Sequence, residues 1–206
     1  MIKLLIFDMW GTLAGNPDYR PFLESVGIEC HSREEQDMVE AIMSRRFETE
    51  RDCFKKFCES VGVEETDELY KRFCKAMGMS KNTYPDVIPG LTRLKGKYKL
   101  VVLSNTEQLS VESGMFKDIE PLFDKLYYSC DVGLVKPDPK IYAKVLEDFD
   151  VKPEEVIMIG DRVDDDVKGP GRLGIKGILL DRRKRYPDYK GKKVYSLKEL
   201  EVVLDE

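Results

Sequence analysis

Five short apolar runs recur along the chain: "KLLIF", "KLVVL", "KLYYSC", "VIMIG" and "KGILL". Each is too short for a stable helix and is bounded by polar or turn residues, so each reads as a buried strand. Helical periodicity fills the segments between them. "VIPGLTRLKGKY" reads as a short helix ending at Gly96, and a further helix follows Asn105. In "DPKIYAKVLEDF" the spacing of Ile141, Val145, Leu146 and Phe149 puts one apolar stripe on a helix. Another helix is expected around Asp164–Leu173, and Ser196 caps a C-terminal one. Strands that alternate with helices make an α/β fold, a doubly wound, Rossmann-like parallel sheet. Ligands in such a sheet lie beyond the carboxyl ends of the strands. The residues to weigh are therefore those where the apolar runs stop.

From Asp18 to Met79 the pattern changes, with helical spacing and no convincing strand. Ser32 to Glu35 reads as a capping box ahead of Met38, Val39, Ile42, Met43 and Phe47. Phe54, Phe57, Cys58 and Val61 mark a second helix closed by Gly62. Thr66 caps a third, with Leu69, Tyr70, Phe73, Cys74 and Met77 inside it and Gly78 after it. The expected organisation is an α/β core of residues 1–14 and 85–206 with a small all-α unit, 15–84, inserted after the first strand. A chain of 206 residues fits one domain with such an elaboration.

Composition removes several function classes. Lys and Arg number 34 against 39 Asp and Glu, a net charge of −5, which argues against nucleic acid or an anionic membrane as partner. No stretch approaches the length of a membrane span. The N-terminus runs straight into the first strand without a signal-peptide pattern, so the expected location is the cytoplasm. There the five cysteines, none in a C-x-x-C pair, are expected as reduced thiols, mostly small buried residues. His31 is the only histidine, so a multi-histidine metal site is impossible. Chemistry must run on carboxylates, lysine and hydroxyls.

The strand ends carry those groups. Asp8 follows the first run, Ser104 and Asn105 end the second, and Asp161 follows the fourth, with Asp165 and Asp166 close behind. Lys136 stands before two prolines in "GLVKPDPKIY". Singly, each has an ordinary explanation: a helix N-cap, a turn, a surface charge. In this order, four motifs resemble those of the haloacid dehalogenase superfamily: "IFDMWGTL", "VVLSNT", "VKPDPKIY" and "IMIGDRVDDDVKGPGRLG". The helical unit resembles that superfamily's cap. The basic stretch "DRRKRYPDYKGKK", 181–193, lies outside the motifs and reads as a solvated loop.

The resemblance implies a hydrolase in which Asp8 is a covalent nucleophile. Backbone N–H groups of the Asp8–Gly11 turn would cradle phosphoryl oxygens. Ser104 would donate to the transferring group, with Asn105 beside it in the substrate site. Lys136 would offset negative charge, and Asp166 would support either that lysine or a metal-bound water. Asp8, Asp161 and the carbonyl of Trp10 would hold Mg²⁺. The substrate would be a small phosphorylated molecule. Phosphatases of the superfamily carry a second Asp where this chain has Trp10, and that Asp protonates the leaving oxygen. An indole N–H cannot. Three readings follow: a Mg²⁺-dependent phosphatase short of general acid–base capacity, a 2-haloacid dehalogenase, or a non-catalytic binder of a phospho-ligand. Arg20, Arg45, Arg46, Arg51 and Lys55 are the candidate substrate contacts of the cap, and Phe47, Phe54 and Phe57 its expected core.

Overall fold

The computed structural model describes residues 1–15, 24, 27, 42, 44–78, 83–114 and 116–205. His31, Cys30, Arg20 and the capping box at Ser32 lie outside the described residues.

The apolar runs do form strands. They are β1 (Leu4–Phe7), β2 (Lys99–Ser104), β3 (Lys125–Tyr128), β4 (Val156–Gly160) and β5 (Lys176–Leu180). A further strand, β6 (Lys193–Val194), was not anticipated, because its two residues are too short for any period to register. All pairings are parallel, in the order β3-β2-β1-β4-β5-β6. This is the doubly wound order, and its switch point falls between β1 and β4. β1 is wholly buried because it pairs on both edges and is covered on both faces.

Among the described residues the helices include, in chain order, α1 (Glu50–Val61), α2 (Asp67–Gly78), α3 (Val87–Lys95), α4 (Gln108–Glu112), α5 (Ser129–Val132), α6 (Pro139–Phe149) and α7 (Leu197–Asp205), of which α3 and α7 cover one face of the sheet and α6 the other. Alternate strand residues separate two apolar layers. Leu5, Phe7, Leu100 and Val102 pack with Val87, Leu91 and Leu94 of α3 and Leu197 of α7. Leu4, Ile6, Val101 and Leu103 pack with Ile141, Tyr142 and Val145 of α6. The two-residue period of the strands is thus what sorts side chains between layers.

A third apolar cluster joins α1 and α2 to Ile42 and to Leu109 of α4. Phe54 centres it, its ring 5.1 Å from Phe73 and 5.2 Å from Tyr70. The chain leaves and re-enters the sheet layer side by side: Ala14 bridges Thr83, and the Tyr84 N–H donates to the Leu13 carbonyl (3.0 Å).

Several local expectations shift. The "YSC" segment leaves the strand at Tyr128, and Ser129 and Cys130 open α5. Gly78 closes α2 from within. Around Asp164 the chain makes a π-helical turn, Val163–Lys168, rather than a regular helix. Phe47 lies in irregular chain and packs from outside the helices. Cys53, Cys58, Cys74 and Cys130 are free thiols. Among the described residues no helix is long and apolar enough to cross a membrane.

Phe54 is fully buried in the third cluster. Phe54→Ala should therefore lower unfolding free energy by about 3–5 kcal/mol, read as a lower urea midpoint.

Candidate active site

Asp8 stands at the carboxyl end of β1, and its N–H still donates to Ile159 of β4 (2.9 Å). The chain then reverses. Leu13 and Ala14 N–H groups donate to the Met9 carbonyl (2.8 and 3.0 Å), and Gly11 adopts φ 76°, a left-handed conformation that favours glycine. The Gly11 N–H donates to Ala14 (2.7 Å). It closes the turn. The Thr12 hydroxyl reaches the other side of Asp8, 3.3 Å from Oδ2.

Lys136 comes from the loop before α6 and is buried at the switch point. Its Nζ lies 2.8 Å from Asp8 Oδ1 and 2.7 Å from Asp166 Oδ1. Asn105, expected in the substrate site, fixes the lysine's backbone: its Nδ2 donates to the Lys136 carbonyl (2.9 Å) and its Oδ1 accepts from the Lys136 N–H (2.8 Å). Asp166 is held from behind by the Arg162 N–H, 2.9 Å from Oδ2. It lies so close to β4 that a Cβ at Gly160 would fall 2.1 Å from its Cγ. Glycine there is a requirement of the site. Asp165 turns its carbonyl to the Tyr142 hydroxyl, which ties the π-helical turn to α6. Ser104, also buried, accepts from the Thr106 hydroxyl (2.9 Å), leaving its own proton to be directed elsewhere.

Burial controls the charges. It pushes Asp8 up to about 6, against the opposing pull of Lys136. It pushes Asp161 up to about 7, and the carboxylates of Asp8 and Asp166 add to the effect. Burial would lower Lys136, but Asp166 and Asp8 override it and hold the ammonium charged far above its ordinary range.

Asp8, Asp161 and Asp166 each offer a buried carboxylate oxygen, all within 4.8 Å of one another. Both oxygens of Asp166 already accept hydrogen bonds. Asp8 Oδ2 accepts only the long contact from Thr12, and Asp161 pairs through one oxygen with the partly exposed Arg185, so these two carboxylates keep more capacity for a cation. Hard, anionic oxygen donors this close fit Mg²⁺, which takes one or two carboxylates and keeps several waters.

Trp10 is half-buried, its ring edge-on to Phe116 at 5.1 Å. The candidate cap cations are mostly engaged within the protein. Arg46 pairs with Glu112 (2.8 Å) and Asp131; Arg51 pairs with Glu65 and Asp67 (2.9 Å); Arg45 lies over the Phe47 ring. Lys55 is exposed.

The basic loop after β5 is where sequence reasoning missed most. Its Arg185 pairs with the Asp161 carboxylate and donates to the Asp161 carbonyl (3.1 Å). Arg182 donates to the Thr12 carbonyl (2.8 Å) and pairs with Asp86 (3.0 Å). A run of like charges reads as solvated surface. The available signal was position: this run begins at the carboxyl end of β5, beside the strand that carries Asp161.

The family model of haloacid dehalogenase-like hydrolases matches residues 2–174. The glyceraldehyde 3-phosphate phosphatase of Methanopyrus kandleri is 36% identical over 107 residues, 51% of this chain and 46% of that one. The enzyme of the same name from Pyrococcus furiosus is 33% identical, over 48% and 44%. The chain thus spans about half the length of these curated relatives. A HAD-like family hydrolase from Porphyromonas gingivalis superposes with a TM-score of 0.75 over 100% of this chain and 99% of that one, at 21% identity, a likeness of fold. The chain belongs to the haloacid dehalogenase-like hydrolases.

Removing Lys136 leaves two buried carboxylates facing each other. Lys136→Met should cost about 3–5 kcal/mol of stability, measured by denaturant unfolding in chelator.

Proposed function

We propose that the chain is a phosphohydrolase of small phosphorylated metabolites, with Asp8 as nucleophile and Mg²⁺ as cofactor. One observation carries this reading: the carboxylates of Asp8, Asp161 and Asp166 converge around the buried Lys136 ammonium at the sheet's switch point. The named activity of the two phosphatase relatives supports the substrate class. The helical segment 15–84 acts as a cap over a core of 1–14 and 85–206. Its separate apolar cluster, and the pairing of Ala14 with Thr83 where the chain leaves and returns, support that division.

An Asp8 carboxylate oxygen attacks phosphorus, the bond from phosphorus to the leaving oxygen breaks, and an acyl phosphate forms on Asp8. Water then attacks the same phosphorus, the bond to Asp8 breaks, phosphate leaves and the carboxylate is restored. Lys136 keeps Asp8 ionised and faces the transferring charge, while Asp166 and Asn105 hold the lysine in place. Ser104 directs its hydroxyl proton to a phosphoryl oxygen. When bound by the Asp8 and Asp161 carboxylates and the Trp10 carbonyl, the divalent cation offsets charge on the phosphoryl oxygens. Trp10 offers no proton to the leaving oxygen, so substrates with good leaving groups are favoured. Trp10 also favours a second reading, dehalogenation, because halide departs without a proton and attack at carbon needs no metal. Asp161 weighs against it, since a dehalogenase has no cation to hold.

Phosphate release from an activated aryl phosphate should require Mg²⁺, stop with chelator and vanish in Asp8→Asn. Halide release from a 2-haloacid that ignores chelator overturns this in favour of dehalogenation. Absence of turnover with thermal stabilisation by phosphate plus Mg²⁺ selects the binding reading. Trp10→Asp should raise turnover of unactivated monoesters, toward the about 10²–10⁴-fold that general acid–base help supplies; an unchanged kcat counts against the missing proton as the limitation.

A further inference from the structure

The loop that follows β5 has a defined internal structure. Asp181 is buried at its start and accepts from the Arg185 N–H (2.7 Å) and the Tyr186 N–H (3.0 Å). The Lys184 N–H donates to the Asp181 carbonyl (3.0 Å), and Lys184 itself sits at φ 54°. Lys193 Nζ closes the far side on the Tyr186 carbonyl (2.6 Å). At the base, Arg182 is wedged between Thr12, Asp86 and the face of Tyr84, 4.3 Å from the ring centroid. Arg185 is therefore presented to the cluster from a braced position, and its guanidinium reaches both the carboxylate and the carbonyl of Asp161.

Charge balance gives this contact a consequence. With Asp8, Asp161 and Asp166 ionised, Lys136 and Arg185 leave one net negative charge in the cluster. Lys136 is buried between two carboxylates and cannot leave without stranding them. Arg185 has a side chain 40% exposed and can swing into water at little cost. A divalent cation shared by Asp8 and Asp161 neutralises the same charge as Arg185 and repels a guanidinium on the same ligand.

We propose that Arg185 is an internal competitor for the metal: its guanidinium holds Asp161 until a divalent cation displaces it, so the loop 181–187 sets the metal affinity of the site. The proposal rests on the reading of Asp8 and Asp161 as metal ligands. It makes Arg185 a positioning residue that acts through Asp161. Removing its charge leaves Asp161 facing two like charges, and a cation then relieves more repulsion than in the wild type.

Isothermal titration calorimetry with MgCl₂ or MnCl₂ alone, on chelator-stripped protein, tests this without turnover. Arg185→Gln should bind both cations about twofold to tenfold more tightly than wild type, a modest change because the pair is partly solvated. Its melting temperature should fall in chelator and rise further than the wild type's on saturation with Mg²⁺. Arg185→Lys, which lacks the planar fork, should fall between the two and serves if the glutamine variant folds poorly. Arg183→Gln removes the same charge from an exposed position in the loop and should leave affinity unchanged. Equal or weaker binding by Arg185→Gln overturns the competition, as does equal tightening by Arg183→Gln, which would make it an effect of overall charge. A wild-type chain that binds neither cation fails at the metal-site reading itself, so the two failures are distinguishable.

Discussion

The Lys136 ammonium, buried between Asp8 and Asp166, is the interaction on which the rest of the site depends. Burial pushes Asp8 up and Lys136 pulls it back, while Asp166 and Asp8 keep the buried lysine charged. The surrounding geometry serves this triad. Asn105 grips the lysine's backbone from the end of β2, and the Arg162 N–H holds Asp166 from the end of β4. Gly160 lets Asp166 come within contact of the strand. Three elements distant in sequence are drawn to one point, and the parallel sheet gives them a common end at which to meet.

Asp161 belongs to the same cluster but on different terms. Its partner is a half-exposed arginine from a loop rather than a buried lysine, and its pKa is pushed up to about 7 by burial and by the neighbouring acids. Two carboxylates thus share one buried cation, while the third pairs with a cation that is 40% exposed. That difference in burial separates a structural charge pair from one available to exchange. Trp10, two residues after Asp8, packs its ring edge-on against Phe116.

Much of this was legible in the chain. The shortness and the abrupt polar stops of the apolar runs "KLLIF", "KLVVL" and "VIMIG" predict the strands, and the rule about their carboxyl ends picks out Asp8, Ser104 and Asp161. The helical spacing of Phe54 and Phe57 predicts that both are buried, as they are. Other features have no local signature. The side-chain amide of Asn105 could have faced a ligand or the chain, and only the approach of the Lys136 loop decides between them. The partner of the Gly11 N–H, the Ala14 carbonyl, likewise appears only once the turn has closed.

What the sequence by itself determined is the family, the parallel sheet and the roster of acids at the strand ends, because periodicity and chain order are local properties. The tertiary structure alone decided who pairs with whom. Lys136 lies 128 positions from Asp8, and the Arg185 loop is a run of like charges until β5 sets it beside β4. Hydrogen bonds and ion pairs across such separations follow from how strands are ordered in space. No window of sequence contains both partners, so no pattern within one could have assigned them.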